Sequence, residues 1–228
     1  LYDRRLRRLL LARDSLGIKP LFWWRQGRAF AFASELKGLL TLPCVSRDID
    51  TDSLGYYLSL QYTPPDRSIY AAVHKLPAGH TLSLDLDRLE PTLASYWSAP
   101  LPNTDPYPSP QSVTTELRRR LETAVSAWTM SDVDVGVSLS GGIDSAAIVG
   151  LLASRGQGLR TWTLGFEGKY AGEGDLDERR LARLVAERWG THHQEIVRRP
   201  EALLDDLEAM VDTLDEPYGG GLPSWYVF

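Results

Sequence analysis

Five prolines, at positions 100, 102, 106, 108 and 110, punctuate the stretch APLPNTDPYPSPQ over 99–111. Proline has no backbone N–H to give and pushes the residue before it out of helical geometry. A run this dense therefore builds neither a helix nor a central strand. It reads as an extended linker. The expected organisation is a first domain over 1–98, a linker over 99–111 and a second domain over 112–228, each domain long enough to bury a core.

The two halves differ in rhythm. In the first, RRLLLARD (7–14), PLFWWRQGRAFAFAS (20–34) and GHTLSLDL (79–86) are short apolar runs bounded by turn residues, which predicts strands. The middle run predicts a hairpin turning at RQGR. DTDSLGYYLSLQY (50–62) predicts a short helix capped by Asp50 or Asp52. This half is expected to be mainly antiparallel β with little helix.

In the second half Val113, Leu117, Leu121 and Val125 recur at helical spacing among Arg and Glu. Apolar VGVSL, a glycine turn and helix SAAIVGLLASR follow, then strand RTWTLGF (160–166), helix DERRLARLVAERWG (177–190), strand HHQEIVR and helix PEALLDDLEAMVDTL (200–214). Strands alternating with helices predict a parallel sheet in an α/β domain. In such sheets a ligand sits at the carboxyl ends of the strands, where the glycine turn falls.

That turn, Ser140-Gly141-Gly142-Ile143-Asp144-Ser145, lies between a strand and a helix start. Unpaired N–H groups and the positive end of the helix dipole make such a place receptive to a phosphate. The hydroxyls of Ser140 and Ser145 add two donors. Asp144 would repel an anion held alone; it makes sense where Mg²⁺ bridges it to phosphates. The spacing matches neither GxxxxGK[ST] nor GxGxxG. The plainer alternative is a strand-to-helix connection in which glycine relieves strain and Ser or Asp caps the helix.

Composition removes several classes. A net charge of −5 gives no reason to expect nucleic acid or an anionic membrane surface as a partner. The single cysteine, Cys44, excludes an intrachain disulfide framework and fits a reducing, cytoplasmic setting. No apolar stretch approaches the roughly 20 residues that span a bilayer. The arginines of YDRRLRRLLLARD interleave with apolar residues, as on an edge strand with one solvated face. DERRLARLVAER reads as a solvated helix with a core stripe. His192 and His193 are adjacent on an expected strand and point to opposite faces, so they form a poor chelating pair. The chain has no initiator methionine and runs to PSWYVF without a helix stop signal, which suggests a segment of a longer protein.

SLSGGIDSAAI resembles the SGGxDS pyrophosphate loop of the ATP pyrophosphatases, and MSDVDVGVSLSGGIDS (130–145) is closer still to the asparagine synthetases. TWTLGF (161–166) and LDEPYGGGLPSWYV (214–227) are similar in kind and order to stretches of that family. In the first half LLLARDSLGIKPLFWW (9–24) resembles the RDxxGxKPL segment of class II glutamine amidotransferase domains. FASELKGLL (32–40) and VHKLPAGHTLSL (73–84) follow as in glutamine-hydrolysing asparagine synthetases.

The resemblance implies an antiparallel α+β glutaminase-like domain of the N-terminal nucleophile hydrolase type. After it would come an α/β parallel-sheet ATP-pyrophosphatase domain of the adenine nucleotide alpha hydrolase kind. It implies that Ser140, Gly141, Gly142, Asp144 and Ser145 form the pyrophosphate site, with Asp144 reaching Mg²⁺. Leu139 and Leu164 match positions that contact the nucleotide, with ordinary core as the alternative for both. The implied substrates are ATP, aspartate and glutamine, with Mg²⁺ as cofactor, a homodimer as the assembly, and neither nucleic acid nor membrane as a partner.

Class II glutaminases use an N-terminal cysteine whose α-amino group can serve as base. Residue 1 is Leu and Cys44 is internal, where TLPCVS suggests a small packing residue, so the nucleophile is expected upstream of Leu1 and these 228 residues are expected to be inactive alone. Asp215 and Glu216 follow a helix and precede a glycine run, which makes them candidates for a site-facing role. Relatives often read DEPxxDPS there, and GGGLPS departs from it, which bears on the acceptor. Two other readings stay open. One is a related cyclase, of the β-lactam synthetase or lasso-peptide type, closing an intramolecular amide. The other is a nucleotide-binding scaffold without catalysis, for which Asp144 would have little use.

Overall fold

The computed structural model describes residues 1–100, 109–156, 158–168, 178–217 and 225–227. Residues 101–108 of the proline-rich stretch and 218–224 of the LDEPYGGGLPSWYV stretch lie outside these. The described chain divides into two compact units, one holding residues up to 100 with 209–217, the other holding those from 109 to 208 with 225–227.

The first unit runs β1 (Tyr2–Asp3), β2 (Arg8–Ala12), β3 (Phe22–Gln26), β4 (Ala29–Ala33), α1 (Leu36–Leu40), α2 (Thr51–Leu60), β5 (Val73–Lys75), β6 (His80–Asp85) and β7 (Pro91–Ser95). All strand pairings are antiparallel, in sheets of order β1-β2-β6-β7 and β4-β3-β5. The predicted hairpin is β3–β4, closing at Gly27-Arg28 between the paired Gln26 and Ala29. Side chains alternate across a strand, so β3 feeds two cores. Phe22 and Trp24 pack with Leu36, Leu39, Val45, Ile69 and Val73. Trp23 and Phe30 face the other way, against Leu11, Leu76, Leu82 and Leu84. Asp50, rather than Asp52, caps α2, accepting from the N–H groups of Asp52 and Ser53.

Between β2 and β3 the RDSLGIKPL segment folds into a polar knot. The Arg13 guanidinium donates to the carbonyls of Lys19, Leu76 and Gly17 at 3.0, 2.8 and 2.8 Å. Burial pulls its pKa below the ordinary arginine value. The Asp14 carboxylate accepts from the N–H groups of Leu16, Ile18 and Lys19, and those of Lys19 and Ile18 chiefly hold its pKa down. Gly17 has φ +67°, and a Cβ there would stand 3.0 Å from the Ala78 Cβ and 3.1 Å from the Arg13 Cζ. The motif thus needs glycine to let the guanidinium lie against the backbone.

The second unit runs α3 (Pro110–Trp128), β8 (Gly136–Ser138), α4 (Ile143–Ala153), β9 (Arg160–Phe166), α5 (Arg179–Trp189), β10 (His192–Arg198) and α6 (Ala202–Asp205). The three strands are parallel in the order β10-β9-β8. Leu139, Val149, Ala182 and Ala186 form the core. Two expectations are corrected. Pro110 and Gln111 belong to α3 rather than to a linker, because Ser109 caps the helix and proline is tolerated in its first turn. The predicted helix over 200–214 is broken at Asp206, so that α7 (Leu207–Thr213) is separate. The Tyr226 hydroxyl donates to the Asp206 carboxylate at 2.8 Å and holds that side chain at the break. The Val113, Leu117 and Leu121 stripe of α3 is helical as predicted, yet remains 44%, 55% and 40% exposed. From Ala209 onward α7 and its tail belong to the first unit, although they follow the proline-rich stretch in sequence.

His193 sits on β10 with Nδ1 2.9 Å from the Thr161 hydroxyl, while its buried Nε2 has no partner. Burial, joined by the Arg183 charge and opposed only by that of Glu195, pulls its pKa down.

Two outcomes follow from these arrangements. Arg13→Met removes three carbonyl partners and is expected to cost about 2–3 kcal/mol in urea unfolding; Arg13→Lys recovers little, because an ammonium cannot match the guanidinium fork. For His193, whose folded pKa is lower than its unfolded one, the native state is most stable above about pH 6.5. That stability declines as the pH falls toward the folded pKa. His193→Gln is expected to flatten this part of the pH profile of thermal unfolding.

Candidate functional site

The SGGIDS turn connects β8 to α4 at the carboxyl end of the parallel sheet. Its root is immobilised by β9. The Leu139 N–H donates to the Trp162 carbonyl at 2.7 Å, and the Leu139 carbonyl accepts from the buried Thr163 hydroxyl. Leu139 itself is fully buried beside Val149 and Ala182. Leu164 lies half-buried in the middle of β9, paired with Ile196 of β10. Both leucines are thus rooted in the sheet, Leu139 through its own N–H and carbonyl and Leu164 within the β9–β10 ladder.

Beyond that root the loop binds itself. The Ser140 and Ser145 hydroxyls are 3.0 Å apart. The Ser145 Oγ accepts from the Ser140 N–H and donates to the Gly142 carbonyl, at 3.3 and 3.2 Å, and the Ser140 Oγ accepts from the Gly142 N–H at 3.3 Å. The loop is therefore pre-shaped, and the serine hydroxyls bracket the start of the helix. Gly141, at φ +76°, passes so near α5 that an added Cβ would be 2.6 Å from the Leu181 Cβ and 2.8 Å from the Ala182 nitrogen.

The N-cap of α4 is Gly142, so no side chain caps this helix, whereas Asp50 and Ser109 cap α2 and α3. Its first-turn N–H groups are left for an anion, and the helix dipole favours one there. Asp144 stands exposed in the first turn of α4. No described residue bonds to or pairs with its carboxylate, and no cluster of three or more His, Cys, Asp or Glu that could hold a metal occurs among the described residues. One free carboxylate beside an anion cradle fits Mg²⁺, which commonly takes one or two carboxylates and completes its shell with phosphate oxygens and water.

The structure therefore gathers Ser140, Gly141, Gly142, Asp144 and Ser145 into one turn, roots that turn through Leu139 and places Leu164 on the neighbouring strand. The supporting roles of Thr163 and Ala182 carry no sequence signal, because each reaches the loop only through the tertiary fold. The other singled-out residues lie elsewhere. Cys44 is exposed rather than packed, since Leu42 and Val45 of the same turn take the inward positions. His192 and His193 share β10 without a metal-binding neighbour among the described residues. Asp215 and Glu216 bond within the first unit. The Asp215 carboxylate accepts from the N–H groups of Leu36 and Lys37, and Glu216 pairs with Lys75 at 2.5 Å.

An antiparallel-sheet unit is thus followed by a parallel α/β unit that carries an uncapped SGGxDS turn. Residues 1–97 match the glutamine amidotransferase domain model, and residues 116–228 match the asparagine synthase model. The chain belongs to the glutamine-hydrolysing asparagine synthetase family. A provisionally named asparagine synthetase (glutamine-hydrolysing) 2 of Methanocaldococcus jannaschii is 32% identical over 237 residues, covering 100% of this chain and 44% of its own length. The like-named asparagine synthetase 3 of Bacillus subtilis is 28% identical over 228 residues, covering 95% of this chain and 36% of its own. The human asparagine synthetase is 26% identical over 225 residues, covering 94% and 37%. The chain thus spans less than half the length of these relatives. Among its described residues no helix is long and apolar enough to cross a membrane.

The two glycines of the turn are expected to behave differently. Gly141→Ala meets α5 with an unfavourable φ and should cost about 2–4 kcal/mol in urea unfolding. Gly142→Ala, at φ −71° with its nearest new contact 3.4 Å away, should stay within about 1 kcal/mol.

Proposed function

We propose that the full-length protein is an ATP-dependent amide-forming ligase that makes asparagine from aspartate and glutamine-derived ammonia. The observation that carries this reading is the uncapped start of α4, bracketed by the Ser140 and Ser145 hydroxyls with Asp144 free beside it. In the reaction an oxygen of the aspartate side-chain carboxylate attacks the α-phosphorus of ATP, and the bond to pyrophosphate breaks. Ammonia then attacks the acyl carbon of the acyl-adenylate and AMP departs.

The first-turn amides of α4, with the two serine hydroxyls beside them, hold the departing pyrophosphate and stabilise charge as it develops. Bound Mg²⁺ would supply further neutralisation of that charge and would be held by Asp144. Leu139 keeps the turn at a fixed height above the sheet, and Leu164 offers an apolar contact to adenosine. In this reading residues 1–98 form part of a glutaminase-like domain of the N-terminal nucleophile hydrolase type. The proline-rich stretch before α3 connects it to an adenine nucleotide alpha hydrolase-like domain. The enzyme works in the cytoplasm as a homodimer on small-molecule substrates.

One sequence feature favours a second reading. GGGLPS over 219–224 departs from the family's DPS pattern, as a cyclase with a different carboxylate acceptor would allow. Label exchange between pyrophosphate and ATP separates the two. The full-length protein is expected to require aspartate for exchange, and equal exchange without aspartate would sink the asparagine reading. Asp144→Ala should lower exchange by about 100-fold or more while glutamine hydrolysis is retained. Loss of both activities together would point to misfolding.

A further inference from the structure

The tail of α7 is fastened to the first unit by a set of polar contacts that the adenylating site does not use. Met210 is fully buried. The Lys37 ammonium donates to the Thr213 carbonyl at 3.3 Å. The Asp215 carboxylate accepts from the first N–H groups of α1, those of Leu36 and Lys37, and so caps that helix from a residue distant in sequence. The Glu216 carboxylate accepts from the Ile69 N–H and the Thr63 hydroxyl, both at 3.1 Å, and pairs with Lys75 of β5. The side chains of Lys75 and Glu216 are only 13% and 15% exposed.

The donors to these two carboxylates come from the first unit. A surface ion pair contributes little, but a mostly buried pair with further hydrogen bonds is costly to break, because the remaining charge loses its partner. The segment they fasten has a double membership. In sequence it falls within the stretch matched by the asparagine synthase model, and its preceding residues, up to Glu208, belong to the second unit. In contacts it belongs to the unit matched by the amidotransferase model.

We propose that Asp215 and Glu216 are positioning residues that anchor residues 209–217 to the amidotransferase-like unit through Lys75 and the start of α1, and that productive use of glutamine nitrogen depends on this anchor. The inference rests on the ligase reading above. Neither residue belongs to the pyrophosphate turn, so loosening the anchor separates glutamine hydrolysis from amide formation while leaving adenylation in place.

The test uses the full-length protein and Lys75→Met, Glu216→Gln and Lys75→Arg. With glutamine as nitrogen source, the first two variants are expected to release several-fold more glutamate per pyrophosphate than the unaltered protein. Pyrophosphate release supported by ammonium chloride should stay within about twofold of it. Lys75→Arg keeps the charge and should restore the ratio. Parallel loss of the glutamine- and ammonium-supported reactions, or an unchanged ratio in both variants, overturns the proposal. Hydrogen exchange at residues 209–217 gives an arm independent of the reaction. Faster exchange there in Lys75→Met is expected, and unchanged exchange overturns the anchor even if the protein releases no pyrophosphate from any nitrogen source, an outcome that would defeat the ligase reading by itself.

Discussion

The backbone of Leu139 is the fixed point of the second unit. Its N–H is held by the Trp162 carbonyl and its carbonyl by the Thr163 hydroxyl, so β8 leaves the sheet at one place and in one direction. Everything chemical comes after it. Ser140 turns back on Ser145, Gly141 slips past the first turn of α5, and Gly142 opens α4 without a capping side chain. For the pyrophosphate role proposed for this turn, being shaped beforehand is an advantage, since donors already aimed at a ligand need not reorganise when it arrives.

The first unit has a comparable fixed point of the opposite character. Around Arg13 and Asp14 the donors and acceptors satisfy one another, three carbonyls on the guanidinium and three N–H groups on the carboxylate. These bonds shape the RDSLGIKPL segment itself. The α4 turn, by contrast, leaves first-turn amides and the Asp144 carboxylate unused by the protein. Two motifs equally prominent in the sequence thus separate by a simple criterion, whether their polar groups are already spoken for. Asp215 and Glu216 fall on the Arg13 side of that criterion, their oxygens being occupied by Leu36, Lys37, Thr63, Ile69 and Lys75.

Much of the architecture was legible in the residues, because it depends on local periodicity. The β3–β4 hairpin follows from the apolar run that turns at RQGR, and α5 from the core stripe of DERRLARLVAER. The elements that escaped are short or depend on distant partners. β1 is two residues long and exists through its pairing with β2. The five-residue α1 has no side-chain cap of its own and takes Asp215 instead. The break at Asp206 follows an uninterrupted helical pattern and is held by Tyr226. Cys44 looked like a core residue by type, yet its turn gives the inward positions to Leu42 and Val45.

What the sequence determined by itself is the order of the two halves and the chemical content of the SGGIDS turn, because a dense proline run and a strand–glycine–helix string act locally. What only the tertiary structure decided is which polar groups remain available. Leu139 lost its backbone groups to β9, Glu216 gave its carboxylate to Lys75, and Asp144 kept its own. The physical reason is that hydrogen-bond satisfaction depends on contacts between residues far apart in the chain, which no local pattern records.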